Sequence, residues 1–195
     1  MNLKVIQPFL IIVLAVITVS CGRSKDEEAI NIMNQTIERA GGEVTANAKI
    51  NFKFRDHYYS ATRQSGRYSL EKCENPSCSG TRDVITNDGF KRYVKGKEIK
   101  LPDSLKTKYG NSVNSVHYFA MLPFGLDASS VHKEMVGESQ IKGEWYYKVK
   151  VTFDENGGGD DFQDEYMYWI NKTNYTIDYL AYNYEVNEGG TRFRE

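Results

Sequence analysis

The sequence is poor in the residue types that reactive and metal-binding sites most often use. Only three cysteines and three histidines occur among 195 residues, and the histidines show no zinc-ligand spacing with the cysteines. The Gly-x-Ser-x-Gly signature of a nucleophilic serine is absent as well. We therefore predict a protein that is not an enzyme and has no cofactor.

Neither sign of charge is in excess. The chain has 25 basic and 26 acidic residues, which gives a formal net charge of −1. A nucleic-acid-binding domain carries a clustered basic surface, and nothing in this balance indicates one. We expect no nucleic-acid partner, and the length suits one monomeric domain with a sizeable core.

Long hydrophobic runs are missing except near the N-terminus. The run from Val5 to Val19 follows Lys4 and is interrupted by Gln7 and Pro8. A membrane-spanning helix needs about 20 apolar residues, so this run is too short for one. A basic residue followed by a short apolar run is typical of a signal peptide.

The end of that run, Thr18-Val19-Ser20-Cys21, resembles a bacterial lipobox, although leucine is usual at the position of Thr18. The resemblance implies a signal peptide over residues 1–20 and a lipidated tether over residues 21–28. Acyl chains on Cys21 would then hold the protein at the outer membrane. An ordinary signal peptide cut nearby, or an uncleaved anchor, is the alternative.

The acidic cluster of residues 24–28, SKDEE, resembles a signal that exports some Gram-negative lipoproteins to the cell surface. Carboxylates also favour the first turn of a helix because they interact with the helix dipole. The sequence therefore leaves the periplasmic side and the cell-surface side of the membrane both open.

Cys73 and Cys78 lie close together in KCENPSCSG. Outside the cytoplasm two such cysteines can pair, whereas a zinc site would need two further ligands. We predict a disulfide, with free thiols as the alternative. A ring this small stabilises the fold by at most about 2 kcal/mol.

The hydrophobic pattern predicts an α+β, mostly β fold. Ile30, Met33 and Ile37 recur at helical spacing, and a Gly-Gly pair ends that segment at residue 42. Period-two alternation follows from Ile50 onward, with a second, short helix predicted between residues 101 and 126. Two helices and about nine strands joined by hairpins predict a curved antiparallel sheet, an open half-barrel, packed on two helices over residues 29–195.

The glycine-rich acidic segment FDENGGGDDFQDE can be aligned with a calcium-binding loop. The alignment fails at its fifth position, Gly158, and strands flank the loop where helices should be. Asp160 or Asp161 with Glu165 could form a glycosidase pair, but a flexible loop holds two carboxylates poorly. We predict a solvated connection, with calcium as the minor alternative through Asp154, Asn156, Asp160 and Glu165.

The segment YWINKTNYTIDYLAY, Tyr168 to Tyr182, resembles a hairpin of lipoprotein-carrier and lipoprotein-sorting proteins. HYFAMLPFGL, IKGEWYYKVKVTF and GGGDDFQDEYMYWI are similar to an uncharacterised family of Gram-negative outer-membrane lipoproteins. The carrier resemblance implies a half-barrel whose apolar concave face holds acyl chains. Members of the uncharacterised family continue past an RFRE-like strand, which implies further strands after residue 195.

These observations predict a lipid-anchored envelope protein that binds an acyl chain or other apolar ligand. The expected partners are the membrane, through the anchor, and that ligand. The alternative is a cell-surface interaction or glycan-binding subunit without a lipid ligand. Strand alternation assigns the concave face to six residues: Phe52, Phe54, Tyr147, Val149, Trp169 and Ile177.

Overall fold

The computed structural model describes residues 24–157, 162–184 and 189–195. It contains helices α1 (Lys25–Arg39), α2 (Gly42–Ala46) and α3 (Asp103–Met121). The strands are β1 (Lys49–Phe54), β2 (His57–Gln64), β3 (Arg67–Cys73), β4 (Thr81–Thr86), β5 (Gly89–Val94), β6 (Lys97–Ile99), β7 (Val131–Ile141), β8 (Glu144–Phe153), β9 (Glu165–Asn171), β10 (Ile177–Tyr184) and β11 (Gly190–Arg194). The predicted α+β, mostly β class is confirmed.

The strands form two antiparallel sheets. The first sheet has the order β1-β2-β3-β4-β5-β6, and the second has the order β11-β10-β9-β8-β7. Among the described residues, β1 does not pair with β11, so the sheets do not close into a barrel. The prediction of one continuous curved sheet did not include this division, which falls where α3 connects β6 to β7.

Helix α1 begins four residues earlier than its hydrophobic spacing predicts. Ser24 accepts a hydrogen bond from the Glu27 backbone, and the Glu27 side chain accepts one from the Ser24 backbone. This capping box satisfies two N–H groups that a helix start otherwise leaves unpaired. Residues 25–28, expected to belong to the tether, are therefore the first turn of α1.

Helix α3 is longer than the short helix predicted and packs on both sheets. Val113 on one face is completely buried with Ala61 and Leu70 of the first sheet. Phe119, near the C-terminal end of α3, packs on the core of the second sheet. The single helix thus joins two sheets that share no strand.

The largest hydrophobic cluster lies between α1 and the second sheet. It includes Met33 of α1 with Val149, Tyr168 and Ile170, all with no exposed surface. Full burial of one such aliphatic side chain stabilises the folded state by about 1.5–3 kcal/mol. The second sheet and α1 therefore form the main core.

Cys73 and Cys78 form a disulfide with an S–S distance of 2.06 Å. It closes a short ring in the connection between β3 and β4. Glu71 lies beside the two sulfur atoms, in an arrangement that could hold a metal ion if the sulfurs were thiolates. Sulfurs bonded to each other are not thiolates, so the disulfide form does not offer that ligand set.

Candidate functional site

An open cleft of about 860 Å³ lies between the outermost strand of the first sheet, β1, and the edge of the second sheet formed by β10 and β11. Residues of the last two turns of α3 also line it. Eight aromatic side chains contribute to its walls: Phe52, Phe54, Tyr118, Phe119, Phe153, Tyr166, Tyr182 and Tyr184. The cleft therefore lies between β1 and β11, edge strands that do not pair with each other in the described part of the chain.

The alternation of side chains along β1 and β10 places their aromatic rings on the face that lines the cleft. Side chains two residues apart on a strand point to the same face, so Phe52 and Phe54 of β1 both face the cleft. Tyr182 and Tyr184 do the same on β10. Tyr166 of β9 lies directly opposite Tyr182 in the strand pairing and adds the next ring.

The aromatic wall of the second sheet is packed in advance of any ligand. The rings of Tyr166 and Tyr182 stack with centroids 5.4 Å apart. Phe119 of α3 packs 5.2 Å from Tyr182, and Phe153 meets Tyr166 edge to face at 5.8 Å. Ring pairs of this geometry stabilise one another beyond simple burial, so the wall has a defined shape.

Tyr118, which also lines the cleft, lies beside the fully buried phenol of Tyr168. The hydroxyl of Tyr118 lies 3.5 Å from that of Tyr168. Burial raises the pKa of Tyr118 to about 12, and it raises the pKa of Tyr168 well above its ordinary value. Both phenols are therefore neutral at physiological pH, and Tyr118 adds no charge to the lining of the cleft.

The rim of the cleft is polar and mainly basic. Its charged lining residues are Lys53, Arg55, Asp164, Arg192 and Arg194. The guanidinium of Arg192 lies 4.5 Å from the ring centre of Tyr184. Hydrogen bonding to the Tyr182 hydroxyl raises the pKa of Arg192, so the guanidinium of Arg192 stays protonated.

Two of the six predicted concave-face residues, Phe52 and Phe54, line the cleft. Val149 is fully buried in the main core, where Tyr147 and Ile177 pack beside it. These three residues lie on the same face of the second sheet as the cleft. They belong to the part of that face that α1 covers. They are interior packing residues and do not line the cleft.

Trp169 lies on the opposite face of the second sheet. Its strand neighbours Tyr168 and Ile170 are completely buried in the main core. Because successive side chains alternate, Trp169 points away from that core. The prediction that Trp169 lies on the concave face is therefore wrong, because the residues of β9 that face the core are Tyr168 and Ile170.

The prediction omitted Phe119 and the two arginines of β11. Phe119 belongs to a helix, and no local signal shows which sheet a helical aromatic will contact. Arg192 and Arg194 did carry a signal, because residues two apart on a strand share a face. The RFRE pattern therefore predicts not only a strand but also a shared face for the two arginines.

The acidic segment does not assemble a metal site among the described residues. Asp154 pairs with His132 at 2.7 Å, and Glu165 pairs with Lys150 at 2.7 Å. Asn156 is exposed in a turn. Asp160 and Asp161, like the predicted lipidation site Cys21, lie outside the described residues.

A model of the family of unknown function DUF6503 matches residues 9–195. The chain belongs to the DUF6503 family. This confirms the predicted membership of a family without assigned function. No curated protein matches the chain.

The DUF6503 chain is also similar to a solved structure, that of a DUF1329 family protein from Desulfovibrio piger. The TM-score is 0.53 at 9% identity, covering 84% of this chain and 75% of the other. At this identity the likeness concerns the fold alone. In the part of the DUF6503 chain that the structure describes, no helix has both the length and the hydrophobicity needed to cross a membrane.

Proposed function

We propose that this protein is a lipid-anchored envelope lipoprotein that binds an acyl chain or another elongated apolar ligand in the cleft. The anchor in this proposal is Cys21, and its location is the outer membrane. The resemblance of the C-terminal hairpin to lipoprotein carriers supports the ligand class. A protein that is itself tethered suits the role of a receiver or resident binding protein better than that of a shuttle.

The observation that carries the proposal is the open aromatic cleft. Its volume of about 860 Å³ lies within the range of about 300–1,000 Å³ typical of small-molecule sites. Ligand sites are lined mostly by apolar and aromatic side chains with few polar groups. The eight aromatic rings of the lining, accompanied by a few charged groups, have this composition.

A photoreactive acyl probe tests the proposal on the full chain. The probe is a methyl ester of a 12-carbon chain with a terminal diazirine, and the protein is held in a non-ionic amphipol so that no detergent monomer competes. We expect irradiation to label peptides containing residues 52–54 and 182–184, as read by mass spectrometry. Labelling spread evenly over the exposed surface would contradict a specific site.

A pair of variants controls for non-specific hydrophobic labelling. Phe54 lines the cleft and Phe193 lies outside it, and both side chains are substantially exposed, at 45% and 69%. F54K should reduce labelling of the cleft by about tenfold, because it removes apolar contact area worth roughly 1.4 kcal/mol. F193K places the same new charge on a nearby aromatic position and should leave that labelling unchanged.

The second candidate function, glycan or protein binding at the cell surface, is favoured by the opposite face of the second sheet. Trp169 and Tyr179 are direct partners in the β9–β10 pairing, and Phe193 is exposed on the neighbouring edge strand. Adjacent aromatic rings on a sheet can stack on sugar rings. Binding on a glycan array that is lost in W169A but kept in F54K would favour this function over acyl binding.

A further inference from the structure

We infer that the ligand of the cleft is an anionic amphiphile whose head group is bound by Arg192 and Arg194. The inference rests on the proposed function and adds to it the charge of the ligand and the residues that recognise that charge. The acyl chain would lie along the aromatic walls. The negative group would lie at the edge formed by β11.

The two guanidinium groups converge on a single point. Nη1 of Arg192 lies 3.5 Å from the Tyr182 hydroxyl oxygen, and Nη2 of Arg194 lies 3.4 Å from the same oxygen. Both side chains therefore donate toward one atom of the cleft wall. Two guanidinium groups so close together form a site with several N–H donors for a carboxylate or a phosphate.

The β-strand register brings the arginines to this position. Arg192 lies directly opposite Tyr182, and Arg194 lies opposite Leu180, which also lines the cleft. The residue between them, Phe193, points to the other face and is 69% exposed. All of β11 is exposed, so Arg192 and Arg194 line the cleft from its open edge, where a ligand could reach both.

The positive charges of Arg192 and Arg194 have no carboxylate partner among the residues that the structure describes. Within the described ranges, neither guanidinium forms an ion pair with another residue. Two like charges held side by side repel each other, and a bound anion would relieve that repulsion. Their nearest ring contacts, to Tyr182 and Tyr184, contribute cation–π attraction without removing the charge.

The charge of the cleft also differs in sign from that of the chain. Among the described residues whose charged groups can face it, Arg55, Arg192 and Arg194 are basic and Asp164 is acidic, a local excess of +2, whereas the whole sequence has a net charge of −1. Arg55 contributes from the opposite wall, directly after β1, whereas the Lys53 side chain alternates to the other face of that strand, over the Tyr58 ring. A negatively charged ligand would be attracted to this cleft in preference to the rest of the surface.

Competition against the neutral diazirine ester tests the head-group assignment in the same amphipol preparation. The competitors are sodium dodecanoate and methyl dodecanoate at pH 8, and the measurement is the concentration that halves cleft labelling. For dodecanoate we expect this concentration to rise about tenfold in R192Q/R194Q, because charge-assisted hydrogen bonds are lost. For methyl dodecanoate it should be the same in the variant and the wild type.

Two further variants separate charge recognition from structural damage. R192K/R194K keeps both positive charges and should recover part of the dodecanoate affinity. R67Q/K97Q removes two charges from exposed positions on β3 and β6, far from the second sheet in the strand order, and should change neither competitor.

The outcomes distinguish the inference from the function on which it rests. Equal effects of R192Q/R194Q on acid and ester, or no effect on either, would overturn the head-group assignment while leaving acyl binding in place. Absence of cleft labelling by the ester in the wild-type protein would overturn the proposed function itself, and the inference with it.

Discussion

The imidazole ring of His117 packs edge-on against the ring of Phe52, with 5.5 Å between centroids and 79° between planes. His117 belongs to α3 and is 1% exposed, whereas Phe52 belongs to β1 and lines the cleft. Nε2 of His117 lies 3.1 Å from the Glu71 carbonyl oxygen and can donate a hydrogen bond to it. Nδ1 has no hydrogen-bond partner in the described part of the chain.

This environment makes stability depend on pH. Burial lowers the pKa of His117, because a proton on Nδ1 would be buried without an acceptor. The folded state then binds this proton less readily than the unfolded state, whose histidine has a pKa of about 6.5. The free energy of unfolding should therefore fall as the pH drops below about 6.5, by up to about 1.4 kcal/mol per pH unit.

Urea unfolding of the wild type at pH 7.5 and pH 5.5 measures this loss. H117Q should show a smaller difference between the two pH values, since it retains an N–H donor but does not titrate. H57Q, which removes another histidine, should keep the wild-type difference. A wild-type difference that H117Q leaves intact would show that other groups cause it.

The ion pair between Asp83 and Arg92 should be important for the first sheet. Arg92 donates two hydrogen bonds to the Asp83 carboxylate, at 2.6 and 2.7 Å, and its guanidinium lies 3.4 Å from the Tyr109 ring centre. Asp83 is 4% exposed. D83A leaves a largely buried cation without its partner and should lower the free energy of unfolding by about 3 kcal/mol.

Two comparisons make the D83A measurement specific. The pair between Asp103 and Lys106 is exposed, so D103A should change the unfolding midpoint little. D83A/R92M removes both charges and should be less destabilised than D83A alone. If D83A and D103A had equal effects, burial would not be the reason for the strength of the pair.

Gly110 in α3 is a position where a larger residue should stabilise the protein. A methyl group there would meet Phe90 of β5 at 3.7 Å, which is an ordinary van der Waals distance. Alanine also has a higher helix propensity than glycine, so G110A should raise the free energy of unfolding by about 0.5–1 kcal/mol. G143A is the contrasting variant, because Gly143 has φ of +91° and a side chain there is strained.

Calcium should have no effect on thermal stability. Asp154 and Glu165, two of the predicted ligands, are engaged with His132 and Lys150. Melting temperatures measured in millimolar calcium and in excess chelator should therefore agree. A calcium-dependent rise that disappears in D154N/E165Q would show that the acidic segment is a metal site after all.

The fold class could be predicted because local patterns carry it. The alternation beginning at Ile50 gives β1, and Asp88-Gly89 is at the turn between β4 and β5. The hydrophobic spacing predicts helix α1 but not its first turn, because the start is set by the polar capping box at Ser24. Consecutive hairpins require only neighbouring segments, so local sequence is sufficient to predict them.

The cleft depends on elements that are distant in the chain. β1 begins at Lys49 and β11 at Gly190, yet the two strands form opposite walls of one cavity. Their facing arrangement depends on how α3 packs simultaneously against both sheets. Alternation within β1 is local and is sufficient to place Phe52 and Phe54 on one face. No window of sequence contains the packing of α3 that brings Phe119 to the same cleft.

The sequence by itself determined the secondary-structure types, the antiparallel hairpins and the aromatic character of the strands, since these follow from short-range periodicity and turn chemistry. Tertiary structure alone decided that the sheet divides in two, that α1 covers Val149, and that two arginines of the last strand converge on Tyr182. Those outcomes depend on packing between segments separated by many residues. Such packing is set by the complementary shapes of whole surfaces, which a local pattern does not encode.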